Sequence, residues 1–503
     1  MKVALAQIDA AVGDLRGNTE KILSALGEAS RRGAQLAVFP EQALGGYPAL
    51  DLWEERGFAE ANEKALAALA KKVGATAALV GFISRRNGRM GKPMRNSAAL
   101  LHNGKVMAVR HKTLLPTYDV FDEARYFEPA ADNKPIAWGG LKLGVSICED
   151  AWSVDPLAKR RLYAVDPIAS QVKAGAGLLL NLSASPYVHG KTAVRRALLA
   201  RHARRHRTPL IYCNAVGGND ELVFDGGSLA YDAKGKLRAR AAFAACDLMV
   251  IDTSTWEGAT LAPEPGAVGQ AGEILTLGIA DFAAKCGLRT AFIGLSGGID
   301  SAVTAALAAR ALGPARVIGV SLPSAYSSQG SVDDAEALAR NLGIELIALP
   351  IENVYRSLLQ TLGPQWGKST PDLAEQNLQA RARGVILMGL ANKASRGFVL
   401  STGNKSELAV GYCTLYGDMC GALAPLADAP KRLVYQLASW INTDREIIPM
   451  SSLTKAPSAE LKPDQKDQDD LPPYEQVDDA LEAWVQSRLE PARVARAVGD
   501  RRV

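Results

Sequence analysis

At 503 residues the chain exceeds what one hydrophobic core supports, so two domains are expected. Apolar residues make up 48% and charged residues 22%, and the formal charge is +5. That balance is ordinary for a soluble globular protein and gives no argument for a nucleic-acid or membrane partner. The opening MKVALAQIDAAVGD meets Gln7 and Asp9 too soon for a secretory leader. No run of about 18 apolar residues follows, so the chain reads as soluble and cytoplasmic.

In chain order, VALAQ, LAVFPE, TAALVGF, SAALL, KLGVSIC, GLLLNLSA and LIYCNAV read as strands, short and rich in apolar residues. Residues 20–33 and 62–73 read as helices between them. Alternation of this kind predicts an α/β layered domain with largely buried strands. From 254 to 270 the pattern stops: STWEGATLAPEPGAVGQ has prolines, glycines and no periodicity, as a linker would. The expected division is therefore 1–253, a linker at 254–270, and 271–503.

After the linker, 273–286 reads as a helix and RTAFIGLSGGIDSAV as a strand, a glycine turn and a helix start. VIGVSLP, ELIALPI and GFVLST follow as strands with helices between, a doubly wound α/β pattern. LKPDQKDQDDLPP, 461–473, reads as a mobile polar loop.

The six cysteines, Cys148, Cys213, Cys246, Cys286, Cys413 and Cys420, form no C-x-x-C pair. Neither a zinc site nor a disulfide framework is indicated, and a buried free thiol is the ordinary reading for each. Cys148 differs because LKLGVSICEDAW delivers it at the end of a strand. AVFPEQALGGYP delivers Glu41 in the same way, and HKTLLPTYDVFDEARYF carries Lys112. A thiol attacking an amide needs a base for its proton and a cation or donor for the oxyanion. One Glu, one Lys and one Cys meet that need, although each alone is weak evidence.

Together the three segments resemble the nitrilase superfamily, and most closely the glutamine-hydrolysing domain of glutamine-dependent NAD⁺ synthetases. The resemblance implies Glu41 as general base, Cys148 as nucleophile and Lys112 as oxyanion stabiliser. It adds Glu123 as a second acid beside the triad, counted with the glutamine site. Tyr118, Ser185 and Lys191 match positions that hold glutamine.

In the second half, GLSGGIDSA lies between strand and helix. Glycines let backbone amides approach an anion, serines add hydroxyls, and the helix N-terminus adds partial positive charge. S-G-G-x-D-S is distinct from the Walker and dinucleotide glycine patterns. It resembles the pyrophosphate loop of the ATP pyrophosphatases. That likeness implies that Gly294, Leu295, Ser296, Gly297, Gly298, Ile299, Asp300 and Ser301 hold ATP, with Asp300 also on Mg²⁺. EQNLQARARG, VLSTGNKSE and GYCTLYGDMCGALAP follow in the order found in NAD⁺ synthetases. They imply Thr402 on ATP, Glu407 on Mg²⁺ and deamido-NAD⁺, and Asn377 on deamido-NAD⁺. Arg381, Asp418, Lys431 and Ser458 are secondary assignments. KAPSAELKPDQKDQDDLPPY matches a loop that closes over the nucleotides.

The family likeness thus implies a nitrilase-like α-β-β-α sandwich joined to a Rossmann-like, doubly wound ATP-pyrophosphatase domain. The implied reaction turns deamido-NAD⁺, L-glutamine, ATP and water into NAD⁺, L-glutamate, AMP and diphosphate, with ammonia passing along a protected channel. A homo-oligomer with small-molecule partners, and no nucleic acid or membrane partner, is expected. Two departures stand out: NKASRGFVLST is one residue longer than the usual form, and relatives carry a basic tail past AVGDRRV. The arginine run at 195–207 reads as a solvated or subunit-facing helix. Two other functions are open to the sequence. One is an amidotransferase for another carboxylate; the other is an ammonia-dependent synthetase whose first domain is an inert assembly module.

Overall fold

The computed structural model describes residues 1–55, 57–88, 90–154, 160–367 and 370–498. They form two compact units, Met1–Ala267 and Val268–Val503.

In the first unit the strands are β1 (Lys2–Gln7), β2 (Leu36–Val38), β3 (Ala77–Arg85), β4 (Met94–His102), β5 (Lys105–His111), β6 (Ile136–Trp138) and β7 (Leu141–Ile147). They continue with β8 (Leu178–Ser183), β9 (Leu210–Asn214), β10 (Val216–Asn219), β11 (Leu222–Asp225), β12 (Leu229–Tyr231), β13 (Leu237–Arg240) and β14 (Asp247–Asp252). Two six-stranded sheets result, in the orders β14-β1-β2-β3-β4-β5 and β13-β12-β9-β8-β7-β6, with β10 and β11 paired separately. The helices are α1 (Leu15–Arg31), α2 (Phe58–Lys72), α3 (Glu123–Tyr126), α4 (Pro167–Lys173) and α5 (Lys191–His206).

Side-chain alternation sets the layers. Leu178, Leu180 and Leu182 of β8 meet Leu5, Val38 and Leu79 between the sheets, whereas Leu179 faces Leu199 and Ala203 of α5. Ala4, Ala37 and Val80 on the other sheet face Ile22, Leu26, Leu66 and Leu69 of α1 and α2. A strand buried on both faces reads as a continuous apolar run, which is why LLLNLS carries no period-two signal. The expected α-β-β-α sandwich is what forms.

Several boundaries differ from the sequence reading, each for a local reason. Helix α1 begins five residues early because the Asp14 side chain accepts from Gly17 N and caps it. α6 (Ala267–Lys285) begins inside the stretch read as linker. Its small residues are packing positions: a Cβ at Gly272 would lie 2.3 Å from the Trp440 ring. β5, β6 and β10–β14 were not foreseen, being short, charged or glycine-bearing. Arg195, read as part of a solvated helix face, is buried, although Arg201 and Arg205 on the same helix are exposed. Cys213 is a buried thiol as expected, but Cys246 and Cys286 are exposed and Cys413 and Cys420 half-buried, because they lie in connecting segments and at a helix end.

The second unit holds one parallel sheet of β15 (Thr290–Gly294), β16 (Val317–Ser321), β17 (Glu345–Ala348) and β18 (Gly397–Val399). The order β17-β16-β15-β18 puts a topological switch point between β15 and β18. Around the sheet lie α7 (Ile299–Leu312), α8 (Gln329–Leu342), α9 (Glu352–Trp366), α10 (Leu373–Lys393), α11 (Lys405–Val410), α12 (Lys431–Ile441), α13 (Met450–Thr454) and α14 (Tyr474–Leu481). The 461–473 stretch is less polar in its setting than it reads: it contains a helical turn, Asp467–Asp469, with Gln465 and Asp467 buried. No helix among the described residues is long and apolar enough to cross a membrane.

In the first unit one close approach sets the path of the segment that carries Glu41. A Cβ on Gly81 would lie 2.4 Å from both Gln42 N and Pro40 O, so only glycine lets the segment after β2 cross β3. Gly81→Ala should therefore destabilise this unit by about 1–3 kcal/mol, as overpacking does. Chemical denaturation checks this, and an unchanged midpoint would count against the tight crossing.

Candidate active site

The first centre is built where strands end. β2 leads through Pro40 to Glu41, β5 leads to Lys112, and β7 leads to Cys148. All three side chains are buried. The Lys112 ammonium donates to Glu41 Oε1 at 2.8 Å and to Glu123 Oε1 at 2.7 Å. Asn96 Nδ2 donates to Glu41 Oε1 at 2.6 Å, and Ala184 N to Glu41 Oε2 at 3.0 Å. Tyr47 Oη donates to Glu123 Oε1 at 2.9 Å. Tyr126 at the end of α3, which carries Glu123, and the following Phe127 pack with Trp53, which also meets Tyr47.

Burial opposes charge on Lys112, but Glu123 and Glu41 outweigh it and hold the amine protonated well above its ordinary range. Burial also raises the Glu123 carboxyl, against the pull of Lys112. The Cys148 thiol is pushed up by burial and by Glu41, with Lys112 opposing. In the free protein it is therefore a neutral thiol that needs a base, not a standing thiolate.

Cys148 has φ +42° in a 3-10 turn, Cys148–Ala151. A left-handed β-carbon-bearing residue stores strain and is characteristic of functional turns. Asp150 pins that turn: its carboxylate accepts from Ile147 N at 3.0 Å, Thr113 N at 3.0 Å and Leu114 N at 2.8 Å. One side chain thus ties the Cys148 turn to the segment carrying Lys112. Burial lifts the Asp150 carboxyl to about 6, against those three hydrogen bonds.

The residues matched to glutamine surround this centre. Tyr118 Oη donates to Glu149 Oε2 at 2.9 Å, and Tyr163 Oη to Glu149 Oε1 at 2.9 Å. Lys191 lies 5.5 Å from the Trp152 ring centroid and 6.0 Å from that of Phe121. Burial, then Arg195, lowers its pKa. Ser185 is fixed by Asn214 Oδ1, which accepts from Ser185 N at 2.9 Å. Sequence reading missed the contacts of Glu149, Asp150 and Tyr163 at this centre, although the first two stand in the quoted CEDAW.

The second centre lies at the switch point. The loop from Gly294 to α7 folds on itself: Gly298 N donates to Ser296 Oγ at 3.2 Å, and Ser301 Oγ to Gly298 O at 2.9 Å. Gly297 has φ +72°, and a Cβ there would lie 2.3 Å from Ser331 O, so both conformation and space require glycine. Leu295 and Ile299 are core side chains, so only their backbone can serve a ligand. Thr402 lies just past β18, the strand that pairs in parallel with β15.

Lys431 is buried with its ammonium donating to Asp300 Oδ2 at 2.6 Å and Glu407 Oε1 at 3.0 Å. Asn404 Nδ2 donates to Asp300 Oδ1 at 2.8 Å and its Oδ1 caps α11 through Glu407 N. Burial, then Asp300, lifts the Glu407 carboxyl, while Lys431 opposes. Thr414 Oγ1 donates to Asn377 Oδ1 at 2.7 Å, Arg381 Nε to Leu415 O at 3.2 Å, and Thr414 N to Asp418 Oδ1 at 2.6 Å. Asn377, Arg381 and Asp418 thus all bond residues 414–415, whereas Ser458 is exposed and accepts from Glu460 N.

Amide hydrolysis at the first centre would liberate ammonia, and an activated carboxyl at the second would need such a nucleophile. The two fit one enzyme class: ATP-dependent carbon–nitrogen ligases that draw nitrogen from an amide. Residues 2–254 match the carbon-nitrogen hydrolase family and residues 273–501 the NAD synthase family. A glutamine-dependent NAD(+) synthetase of Synechocystis sp. is 45% identical over 100% of this chain and 91% of its own length. One from Thermotoga maritima is 39% identical, covering 100% and 92%. The solved glutamine-dependent NAD+ synthetase of Acinetobacter baumannii, in complex with adenosine diphosphate, superposes with TM-score 0.84 at 36% identity, covering 100% of this chain and 91% of that one. The chain belongs to the glutamine-dependent NAD(+) synthetase family.

The raised thiol gives a pH prediction. Alkylation of Cys148 by iodoacetamide, followed by mass spectrometry, should still be accelerating past roughly pH 8.5, the ordinary thiol value. A plateau already reached near about pH 7 would show a preformed thiolate.

Proposed function

We propose that the chain converts deamido-NAD⁺, L-glutamine, ATP and water into NAD⁺, L-glutamate, AMP and diphosphate. The observation that carries this reading is the buried Lys112 ammonium held between Glu41 and Glu123 at the Cys148 turn. Such a centre is equipped for hydrolysis, so the first unit is no inert module.

At that centre Glu41 takes the Cys148 proton as sulfur attacks the glutamine side-chain carbonyl. Lys112 stabilises the oxyanion, which collapses to a thioester as ammonia leaves with a proton returned from Glu41. Water, deprotonated by Glu41, then attacks the thioester carbonyl; the carbon–sulfur bond breaks, Glu41 returns the proton to Cys148, and glutamate leaves. Tyr118, Ser185 and Lys191 hold the substrate, with Glu123 keeping Lys112 oriented. At the second centre the nicotinate carboxylate attacks the ATP α-phosphorus and diphosphate departs. Ammonia then displaces AMP from the acyl adenylate. Released ammonia must be kept from protonation by bulk water, so a protected path is part of the proposal.

The 294–301 loop cradles phosphates through its amides and hydroxyls, joined by Thr402, and the ADP complex of the Acinetobacter relative supports a nucleotide here. Asn377 and Glu407 face deamido-NAD⁺ in this reading. Asp300 and Glu407 flank Lys431 with hard oxygen donors, which suits Mg²⁺. Among the described residues no group of three or more metal-ligating side chains occurs, so phosphate oxygens and water would complete the shell. Mg²⁺ held there would neutralise charge growing on the departing diphosphate. The division into a hydrolase at 1–253 and a synthetase at 271–503, a cytoplasmic setting and a homo-oligomeric state belong to the same proposal.

Two variants test it. Cys148→Ala should abolish glutamine-supported synthesis and leave ammonium-supported synthesis intact. Asp300→Ala should suppress both while slow glutamine hydrolysis survives. NAD⁺, glutamate and diphosphate are measured together. Equal loss of both nitrogen sources in folded Cys148→Ala, or parental ammonium-supported synthesis in Asp300→Ala, would reject the scheme.

A further inference from the structure

The buried ion pair of Arg195 and Asp225 has no part in the chemistry or the substrate contacts assigned to either centre. Arg195 sits one helical turn after Lys191 on α5, its guanidinium 5.7 Å from the Tyr212 ring centroid. Its Nη1 donates to Asp225 Oδ1 at 2.9 Å and Oδ2 at 3.0 Å. Asp225 Oδ1 also accepts from Asn214 Nδ2 at 3.0 Å.

Asn214 then clamps Ser185 from both sides. Its Oδ1 accepts from Ser185 N at 2.9 Å and its Nδ2 donates to Ser185 O at 3.2 Å. The neighbouring amide, Ala184 N, holds Glu41 Oε2 at 3.0 Å. A continuous set of contacts therefore runs from α5 through Asp225 and Asn214 to the strand end after β8, and stops on the carboxylate of the base. Arg195 Nη2 also reaches Ser185 Oγ directly, at 3.5 Å.

A buried ion pair is by itself weak evidence of a stabilising role. Buried ion pairs can often be replaced by apolar packing without loss, because desolvation offsets their attraction. What this pair does supply is direction: the guanidinium spans Asp225 through Nη1 and Ser185 Oγ through Nη2, and its planarity fixes those two directions relative to each other.

We propose that Arg195 and Asp225 are positioning residues for glutamine hydrolysis. They fix the 184–185 strand end, so that Ala184 N keeps the Glu41 carboxylate in register and Ser185 is presented to the substrate. The inference rests on the reading of the first centre as a glutamine-hydrolysing site.

The test is the double variant Arg195→Met with Asp225→Asn, which removes both charges and leaves no unpaired ion buried. Glutamine hydrolysis should lose on the order of 100-fold in kcat/KM, the scale of a small misplacement of reacting groups. Part of the loss should be a raised KM for glutamine, whereas a folding defect lowers active enzyme and kcat without moving KM. Ammonium-supported NAD⁺ formation should stay at the parental rate. Arg195→Lys, which keeps a cation beside Asp225 but not the planar contact, should recover only part of the hydrolysis. Parental glutamine kinetics in the double variant would overturn the inference, as would parallel loss of ammonium-supported synthesis. A parent enzyme unable to hydrolyse glutamine would instead remove the reading beneath it.

Discussion

The first unit depends on one buried ammonium. Lys112 is almost wholly out of water, and so are the two carboxylates it bridges. Desolvating three charged groups is costly, and only short hydrogen bonds from every side make the cluster tolerable. Asn96, Ala184 and Tyr47 supply the rest. Removing one partner from such a cluster costs about 3–5 kcal/mol, because a charge is then stranded. The layered sheets answer that demand. They bring the ends of β2, β5 and β7, which are distant in sequence, within hydrogen-bond range and exclude water around them. Glycine at 81 and the three-armed Asp150 arise from the same need to register separate segments closely.

A similar arrangement recurs in the second unit with another purpose. Lys431 lies between Asp300 and Glu407 as Lys112 lies between Glu41 and Glu123. Here the carboxylates keep some contact with solvent. Lys431 had only a secondary place in the sequence reading, yet it is the residue that joins the loop carboxylate to α11. Asn404 escaped notice although GNKSE is a capping pattern, since the cap on Glu407 N and the bond to Asp300 use opposite ends of one amide.

Much of this was legible because strand ends are short-range features. A run of buried residues followed by Pro40 and Glu41, or by Cys148, shows in the sequence where the chain emerges from the sheet. The glycine loop is legible for the same reason, and the order of motifs along the chain carried the family. Contacts between segments far apart were not legible. Arg195 looks like its exposed neighbours Arg201 and Arg205, and only Asp225, thirty residues on, shows it to be buried. Glu149 and Asp150 were visible as letters, but their roles depend on Tyr118, Tyr163 and the amides of 113 and 114. The linker misled because α6 already begins inside it, at Ala267, with Gly269 and Gln270 buried.

The most direct measurement is made on Lys112→Met, with glutamate release from glutamine and NAD⁺ formation from ammonium assayed on one preparation. Loss of the Lys112 cation should cut glutamate release by on the order of 10²–10³-fold or more, as loss of oxyanion stabilisation does. Ammonium-supported NAD⁺ formation should persist. A folded variant that releases glutamate at the parental rate would contradict the role given to the buried ammonium.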